Sequence, residues 1–378
     1  MKKLTNTLLF LVLFGLSCKE EFNIDSIQFD NSLVVEGFIT NNPGPYRIKL
    51  STSAQVDNPA IYPKTNCTVT IFDDQGYSEK LSEIEPGLYT TSKTGIQGKI
   101  GESYKLSIIT PNEEEYETEF QEMLAPTGID SAYEEIEYQE SEEEPYGVPG
   151  YQFFINTKQA EEQSKYFLWT MVETYEYNAD FEPYQILNNA SDLAPNFDTL
   201  YTCWLTDNVK KVFTGETGSL TSSQINGKRL HFVSANSRRL SIRYSLLINQ
   251  YTIDEKSYSF WKDIEDQMTS SNVLSISQSY NIKGNIKNIS KPEESVLGHF
   301  TVASLSQKRI FVNRPYLPIN YNKCYVILNE DFWETNRDEY GIIYMVMKDD
   351  GWIGSVKKEC LDCRMHGGEL NKPDFWID

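Results

Sequence analysis

The sequence has little histidine and little positive charge. It contains three histidines, and its 34 lysines and arginines are outnumbered by 55 aspartates and glutamates, which gives a formal net charge of -21 at pH 7. Such an excess of negative charge repels a phosphate backbone, so the composition argues against a nucleic-acid-binding protein. None of His231, His299 and His366 lies in an H-E-x-x-H motif, the helical zinc site of many hydrolases.

Motifs of catalysis and of cofactor binding are missing as well. The chain lacks a G-x-S-x-G nucleophile elbow, a G-x-x-x-x-G-K phosphate loop and the Asp-rich loop of an EF-hand. Acidic pairs are numerous and none is marked out, so a glycosidase-like pair of carboxylates stays an open alternative. We expect a protein without enzymatic activity, without a cofactor and without a metal site.

An apolar run near the N-terminus is too short to span a bilayer as a helix. Lys2 and Lys3 precede this run, Leu8–Leu16, and small residues then lead into Cys18. A positive start, an apolar stretch and small residues are the three parts of a signal peptide, which we assign to residues 1–17.

The position of Cys18 resembles a bacterial lipobox, although Gly15 stands where leucine is usual. We expect Cys18 to carry lipid, with palmitate among its acyl groups, and residues 18–26 to tether the folded part to the outer membrane. An ordinary signal peptide with a chance cysteine is the alternative. The next residues resemble the signal by which Bacteroidota send lipoproteins to the outer leaflet, where the protein would face the cell exterior; a solvated linker is the alternative interpretation of Lys19, Glu20 and Glu21.

The remaining sequence has the pattern of β-structure. Aromatic residues make up 13% of the chain, and tyrosine and phenylalanine favour strands. Short alternating runs such as SLVVEGFIT and SYKLSIITP, separated by turn signals, predict an immunoglobulin-like β-sandwich over residues 27–125. In that domain Cys67 has no cysteine partner, and we interpret it as a small buried hydrophobic residue.

Residues 126–378 predict a larger, β-rich, antiparallel C-terminal domain, either a sandwich or barrel-like. Its clearest strand, LSIRYSLLINQY, is predicted to place one row of apolar side chains on one face. A helix near 255–269, capped by Asp254 or Ser257, is predicted to cover an open face or end of the sheet. The predicted strand row is Leu240, Ile242, Tyr244, Leu246 and Ile248, and the helical stripe is Tyr258, Trp261, Ile264, Glu265 and Met268.

An acidic segment lies near the predicted domain junction. Eight acidic residues fall between Asp130 and Glu144, and their mutual repulsion predicts an extended, exposed loop, either a hairpin tip or a domain junction. A contact with a cation or with a basic partner is the alternative for residues 130–144.

The four remaining cysteines suggest structural disulfides. Arg364 occupies the place of the histidine that haem attachment requires after Cys360-x-x-Cys363, and the segment lacks the helix of a thioredoxin-like site. Zinc held by these cysteines, His366 and either Cys203 or Cys324 is conceivable, but disulfides persist in the oxidising setting of an exported protein. We expect Cys360 and Cys363 each to reach back to Cys203 or Cys324, closing a loop of about a hundred residues or more, with the pairing left open.

Two segments resemble a known family: GNIKN to FVNR, residues 284–314, and CLDCRMHGGELNKPDFW, residues 360–376. They are similar to an uncharacterised family of Bacteroidota outer-membrane lipoproteins, domain of unknown function 4249, and the VVEG strand and the Cys203-Trp204 pair also match. Members are often encoded beside TonB-dependent outer-membrane receptors, which implies an outer-membrane β-barrel partner. The family has no established catalytic residues, so the resemblance assigns none to this chain.

The expected function combines these observations. We expect a surface-exposed outer-membrane lipoprotein that works as a non-enzymatic accessory or binding component of a TonB-dependent transporter. A structural or adhesive component of an outer-membrane assembly or secretion machine is the first alternative. A glycan or peptide hydrolase is the second alternative.

Overall fold

A computed structural model of the protein describes residues 32–53, 62–141, 145–182, 185–188, 192–193, 200–219, 221–270, 282–317, 324–326, 342–347, 351 and 353–377. The predicted signal peptide, the tether, the lipid-bearing Cys18 and the export signal Lys19-Glu20-Glu21 lie outside these residues. Within the described part of the chain, no helix is both long and apolar enough to cross a bilayer.

The predicted mainly β fold is confirmed. The first ten strands are β1 (Leu33–Thr40), β2 (Arg47–Thr52), β3 (Tyr62–Pro63), β4 (Thr68–Asp73), β5 (Ser78–Lys80), β6 (Ser82–Glu85), β7 (Leu88–Thr90), β8 (Ser103–Ile109), β9 (Glu115–Thr118) and β10 (Gln121–Glu122). The next thirteen are β11 (Ile129–Gln139), β12 (Val148–Thr157), β13 (Tyr166–Asn178), β14 (Gln185–Asn188), β15 (Asp192–Leu193), β16 (Thr202–Asn208), β17 (Phe213–Glu216), β18 (Lys228–Ser234), β19 (Arg243–Ile253), β20 (Ile286–Asn288), β21 (Leu297–Asn313), β22 (Ile342–Met347) and β23 (Ile353–Val356).

The first sandwich packs one end of a ten-stranded sheet against a six-stranded sheet. The ten-stranded sheet has the order β16-β13-β19-β21-β1-β2-β7-β6, with β17 also paired to β13 and β3 to β2. The six-stranded sheet has the order β20-β9-β8-β4-β5, with β10 also paired to β8. Strands β4 and β8 alternate between buried and half-buried residues along most of their length, because successive side chains point to opposite faces. The core between the sheets includes the fully buried Val35, Ile48, Ile71 and Ile108.

Strands from both predicted regions, 27–125 and 126–378, build the first sandwich together. Strand β1 pairs in parallel with β21 from Val34↔Leu297 to Thr40↔Ala303, and β20 adds to β9. Phe300 of β21 is fully buried in the same core as β1. Gly298 permits the close approach, because a Cβ atom there would collide with the backbone of Val35. The ten-stranded sheet is therefore continuous across the predicted boundary, whose placement stays a prediction.

A second sandwich forms where β13, β19 and β21 face the three-stranded sheet β11-β12-β18. As predicted, Tyr244, Leu246 and Ile248 are buried side by side in its core. Leu240 is buried as well, but it ends a short 3-10 turn, Arg238–Leu240, so the strand begins later than predicted, at Arg243.

One α-helix, α1 (Glu255–Ser270), lies on the outer face of the ten-stranded sheet. The carboxylate of Asp254 accepts a hydrogen bond from the Ser257 backbone N–H at 2.7 Å, the geometry of a helix N-cap. Trp261 stacks on Phe38 of β1 with 5.7 Å between ring centroids, which fixes the helix over the sheet as predicted.

The prediction of an exposed acidic loop is wrong for residues 130–139. These residues belong to β11, which pairs with β12 from Ile129↔Thr157 to Gln139↔Val148. Neighbouring groups offset part of the like-charge repulsion, since the Arg229 guanidinium donates two 2.6 Å hydrogen bonds to the Glu137 carboxylate. Residues 130–139 thus form one arm of a β11–β12 hairpin and not its tip. Residues 142–144 of the predicted segment lie outside the described residues.

Candidate ligand-binding cleft

A cleft opens between α1 and the outer face of the first sandwich. The alternation of β1 creates its floor: Val35 and Ile39 point into the core, while Val34, Glu36 and Phe38 point outward. Helix α1 covers only part of this outward face, because it lies across β13, β17 and β21. The uncovered part remains as a concave surface on β1, β2 and β7.

The walls of the cleft are apolar and its volume is about 630 Å³. Ligand sites in proteins typically enclose roughly 300–1,000 Å³ and are lined mainly by hydrophobic and aromatic side chains. The Trp261 indole N–H donates to the Thr301 hydroxyl at 3.2 Å, and this hydrogen bond fixes the position of the ring in the wall. The apolar lining consists of Val34, Phe38, Leu88, Phe260, Trp261, Ile264, Ile282 and Leu297.

Three charged side chains line the cleft on the sheet side: Glu36, Arg47 and Lys49. All three are exposed, and Glu36 lies directly opposite Lys49 in the register of β1 and β2. Within the described ranges, neither Arg47 nor Lys49 is among the cations that form salt bridges. The rim therefore carries a local excess of positive charge on a strongly acidic protein.

His299 lies at the base of the cleft and is almost fully buried. Its ring packs 4.8 Å from the Phe260 ring, and its Nδ1 is 3.0 Å from the Thr301 hydroxyl. Burial lowers the pKa of His299 to about 4, because the charged form would lose its hydration. The imidazole is therefore neutral at physiological pH and offers a polar contact without a charge.

A second, more polar cleft of about 690 Å³ adjoins the first and shares Phe260 and His299 with it. Charged side chains of this second cleft form salt bridges with one another. The Glu119 carboxylate lies 3.0 Å from the Lys256 ammonium and 2.8 Å from the Lys287 ammonium. Hydrogen bonds from Lys287 and Lys256 lower the pKa of Glu119 to about 2. A carboxylate held in this ionised state is unsuited to act as a general acid.

Reactive groups are scarce in the part of the chain that the structure describes. No three His, Cys, Asp or Glu side chains there are grouped so that they could hold a metal ion. The Cys67 thiol is free and buried, as predicted, and burial raises its pKa. A nucleophilic cysteine needs the opposite shift, so the Cys67 thiol is not activated as a nucleophile.

The C-terminal cysteines form two disulfides. Cys203 is bonded to Cys363 and Cys324 to Cys360, with Cα–Cα distances of 5.7 and 5.8 Å. Each cysteine of the C-x-x-C motif thus reaches back along the chain. The loops span 160 and 36 residues, and the first is the predicted loop of a hundred residues or more. With all four sulfurs in disulfides, no thiolate remains among them to bind zinc.

The second glycine of the pair after this motif packs directly on the first disulfide. A Cβ atom at Gly368 would lie 2.7 Å from the Cβ of Cys203 and would also collide with the hydroxyl of Tyr177. That hydroxyl donates to the Cys363 carbonyl at 2.7 Å. The third zinc candidate, His366, has its Nε2 2.9 Å from the Glu359 carbonyl oxygen instead.

The residues of the cleft were not predicted as a site. Trp261 and Ile264 belong to the predicted covering stripe of the helix, and no prediction concerns the basic residues of β2. A signal was nevertheless present in YRIKL, where Arg47 and Lys49 occupy both outward positions of a strand. The VVEGF strand likewise carries apolar Val34 and Phe38 on the face that alternation alone would give to solvent.

The sequence matches a known family model. A family model described as "Domain of unknown function (DUF4249)" matches residues 19–309, which is more than half of the chain. This span includes the cleft and one cysteine of the first disulfide, and it ends before the segment 360–376. No curated protein matches the sequence.

Proposed function

Because the chain belongs to the family of domain of unknown function 4249, which carries no assigned activity, we propose its function from the geometry of its own residues. The protein works as a surface-exposed, lipid-anchored outer-membrane lipoprotein and serves as a non-enzymatic binding or accessory component of a TonB-dependent transporter. The observation that carries this proposal is the cleft beside α1, which combines apolar walls with an open, charged rim.

The contents of the cleft support binding in preference to catalysis. A hydrolase needs a nucleophile or a carboxyl pair in which one member is kept protonated. Among the carboxyl groups that the structure describes, the one whose pKa burial raises is Glu134, which lies on β11 and outside the cleft lining. In the cleft, aromatic walls, a neutral histidine and a rim with one more cation than Glu36 balances suit the reversible recognition of a ligand.

The disulfides support export from the cytoplasm. Disulfides form and persist in oxidising compartments, whereas cytosolic thiols are kept reduced. Both bonds here are internal to a folded region: Cys203 and Cys363 are fully buried and Cys360 is nearly so. This is the arrangement of structural bridges in an exported protein, and it agrees with the predicted signal peptide at residues 1–17.

The hairpin of β11 and β12 supplies a surface suited to a protein partner. Its distal end exposes Ile136 by 49%, Tyr138 by 60% and Tyr146 by 92%. Exposed Glu135 and Glu140 flank these side chains, and β11 is an edge strand of its three-stranded sheet. Aromatic residues surrounded by charge are typical of protein interfaces, so we assign the contact with an outer-membrane β-barrel to this end of the hairpin.

Affinity purification from gently solubilised native membranes tests the partnership. We expect the protein to bring down an outer-membrane β-barrel, and Tyr138→Asp to weaken this recovery because it removes an aromatic contact. Tyr77→Asp is the matched control, since Tyr77 is 53% exposed on the first sandwich. Recovery of the wild-type protein alone, or equal loss in both variants, would contradict the proposed partnership.

The anchor is tested separately by fractionation. Cys18→Ala removes the only sulfur to which the predicted acyl chains can attach, so we expect the variant to leave the membrane fraction. Cys67→Ala is the control, because that thiol is buried inside the first sandwich. Unchanged membrane association of Cys18→Ala would refute lipidation while leaving the copurification experiment interpretable.

A further inference from the structure

We propose that the cleft beside α1 binds a long-chain carboxylate, with the alkyl chain against the aromatic wall and the carboxylate at Arg47 and Lys49. This inference rests on the proposed binding function and names the class of ligand for the same site. It requires neither the transporter partner nor the lipid anchor.

The apolar tail of such a ligand matches the walls. Eight of the fifteen lining residues carry apolar side chains, contributed by β1, β7, β21, α1 and the segment before β20. Val34, Phe38, Leu88, Trp261, Ile264 and Leu297 are all only partly buried, so each leaves apolar surface facing the cleft. An alkyl chain covers this surface without needing hydrogen bonds, and its burial is favourable in proportion to the area removed from water.

The charges on one face of β2 indicate that the head group of the ligand is negatively charged. Arg47 and Lys49 are two residues apart on a strand, so both point outward on the same side. Glu36 opposite Lys49 balances only one of the two cations. A carboxylate placed between them would accept charge-assisted hydrogen bonds from the guanidinium and the ammonium.

The lining also argues against two other classes of ligand. A sugar presents many hydroxyl groups, and the cleft offers Gln267 and His299 as its only uncharged polar side chains among the lining residues. A cationic amphiphile would place its charge beside Arg47 and Lys49 and would be repelled. The chemistry of the cleft therefore fits an apolar chain with a single negative end.

Calorimetric titration of the full chain with dodecanoate, below its micelle-forming concentration, tests the inference. We expect saturable binding of one dodecanoate per chain. The double variant Arg47→Ala/Lys49→Ala is expected to weaken binding roughly tenfold, because two charge-assisted contacts are lost. Lys80→Ala/Lys93→Ala is the matched control, since it changes the net charge equally at two exposed lysines outside the cleft lining and should bind as wild type does.

A second pair of variants tests the tail. Ile264→Glu places a charge in the apolar wall and should abolish binding, whereas Met268→Glu, on the same helix at a 42% exposed position outside the lining, should not. Circular dichroism and thermal unfolding confirm that both variants fold. The neutral ester monododecanoylglycerol and the cation dodecyltrimethylammonium should bind more weakly than dodecanoate.

Several outcomes would overturn the inference. They are no heat of binding with dodecanoate, equal binding in the cleft and control variants, equal affinity for the neutral ester, and binding of a neutral oligosaccharide in the same cleft. Each of these leaves the copurification result unchanged, and a failed copurification leaves the titration unchanged. The titration therefore tests the ligand class, and the copurification independently tests the partnership.

Discussion

At the scale of single residues, the best-defined buried charge is Glu173 of β13. Its carboxylate accepts hydrogen bonds from the Arg239 guanidinium at 2.9 Å and the Tyr244 hydroxyl at 3.0 Å, and the His231 Nε2 lies 3.7 Å away. Burial alone would raise the pKa of Glu173, but the nearby His231 imidazole and the charge of Arg239 together hold it below its usual value. Through these contacts, the ionised Glu173 connects β13 and β19 of the ten-stranded sheet with β18 of the three-stranded sheet and with the 3-10 turn Arg238–Leu240.

We predict that Glu173→Gln lowers the free energy of unfolding by about 2 kcal/mol at pH 7, because Arg239 loses its charged partner. In the wild type, the lowered pKa means that this contribution is fully present above the unfolded value near 4.5 and is lost as the pH falls through the folded value. Urea unfolding across an acid series measures both effects.

The control for this prediction is Glu137→Gln, since the Glu137–Arg229 pair lies on the surface of the second sandwich. A surface pair contributes roughly 0–1 kcal/mol, so the control should unfold nearly as the wild type does. Equal destabilisation by both variants, or a wild-type acid profile in Glu173→Gln, would show that the buried cluster has no special role.

At the scale of elements, the two disulfides fix the C-terminal segment to strand β16 and to Cys324, which lies in no strand. Cys363 is held against β16 through Cys203, and the Glu369 backbone pairs with Trp204 of the same strand. Cys360 is bonded to Cys324, whose backbone N–H donates to the Asp180 carboxylate at 2.8 Å. One C-x-x-C motif therefore ties the segment to two separate places.

We predict that removing the Cys203–Cys363 bond is the more damaging of the two changes. Chain-entropy arguments assign about 5 kcal/mol to its loop of 160 residues and about 4 kcal/mol to the loop of 36 closed by Cys324–Cys360. Urea unfolding of Cys203→Ser/Cys363→Ser and of Cys324→Ser/Cys360→Ser compares them, and non-reducing peptide mapping verifies the pairing first. A Cys360–Cys363 peptide, or greater loss in the second variant, would disprove this assignment.

How far the sequence predicts these elements depends on whether the signal is local. Alternation in SYKLSII and the capped pattern after Asp254 are local, and they correctly predict β8 and α1. The acidic run was assigned to a loop because repulsion is visible in the sequence, whereas the pairing with β12 and the bonds from Arg229 that offset it are not. The cleft was missed for the same reason, since Phe38 and Trp261 meet only after α1 folds onto β1.

At the scale of the whole molecule, the parallel pairing of β1 with β21 bears on whether residues 27–125 can fold without the rest of the chain. The sequence predicts an independent sandwich at 27–125, because its strands and turn signals are complete in number. In the structure, the core of that sandwich also contains Ile286, Val296, Phe300 and Val302, all buried residues from the other end of the chain. No local pattern indicates such a pairing, because the alternation of apolar and polar residues within a strand does not depend on which strand it pairs with.

We therefore predict that a fragment of residues 27–125 does not fold cooperatively. Without β20 and β21, strand β1 exposes one edge and β9 another, and the buried face of the core loses the side chains that cover it. Denaturant unfolding monitored by tyrosine fluorescence and circular dichroism should show a gradual change in the fragment and a cooperative transition in the full chain. In the full chain, Phe300→Ala should cost about 3–5 kcal/mol by the same contacts. A sharp transition in the isolated fragment would establish it as an independent domain, and β21 would then be an addition to a sandwich that is already stable.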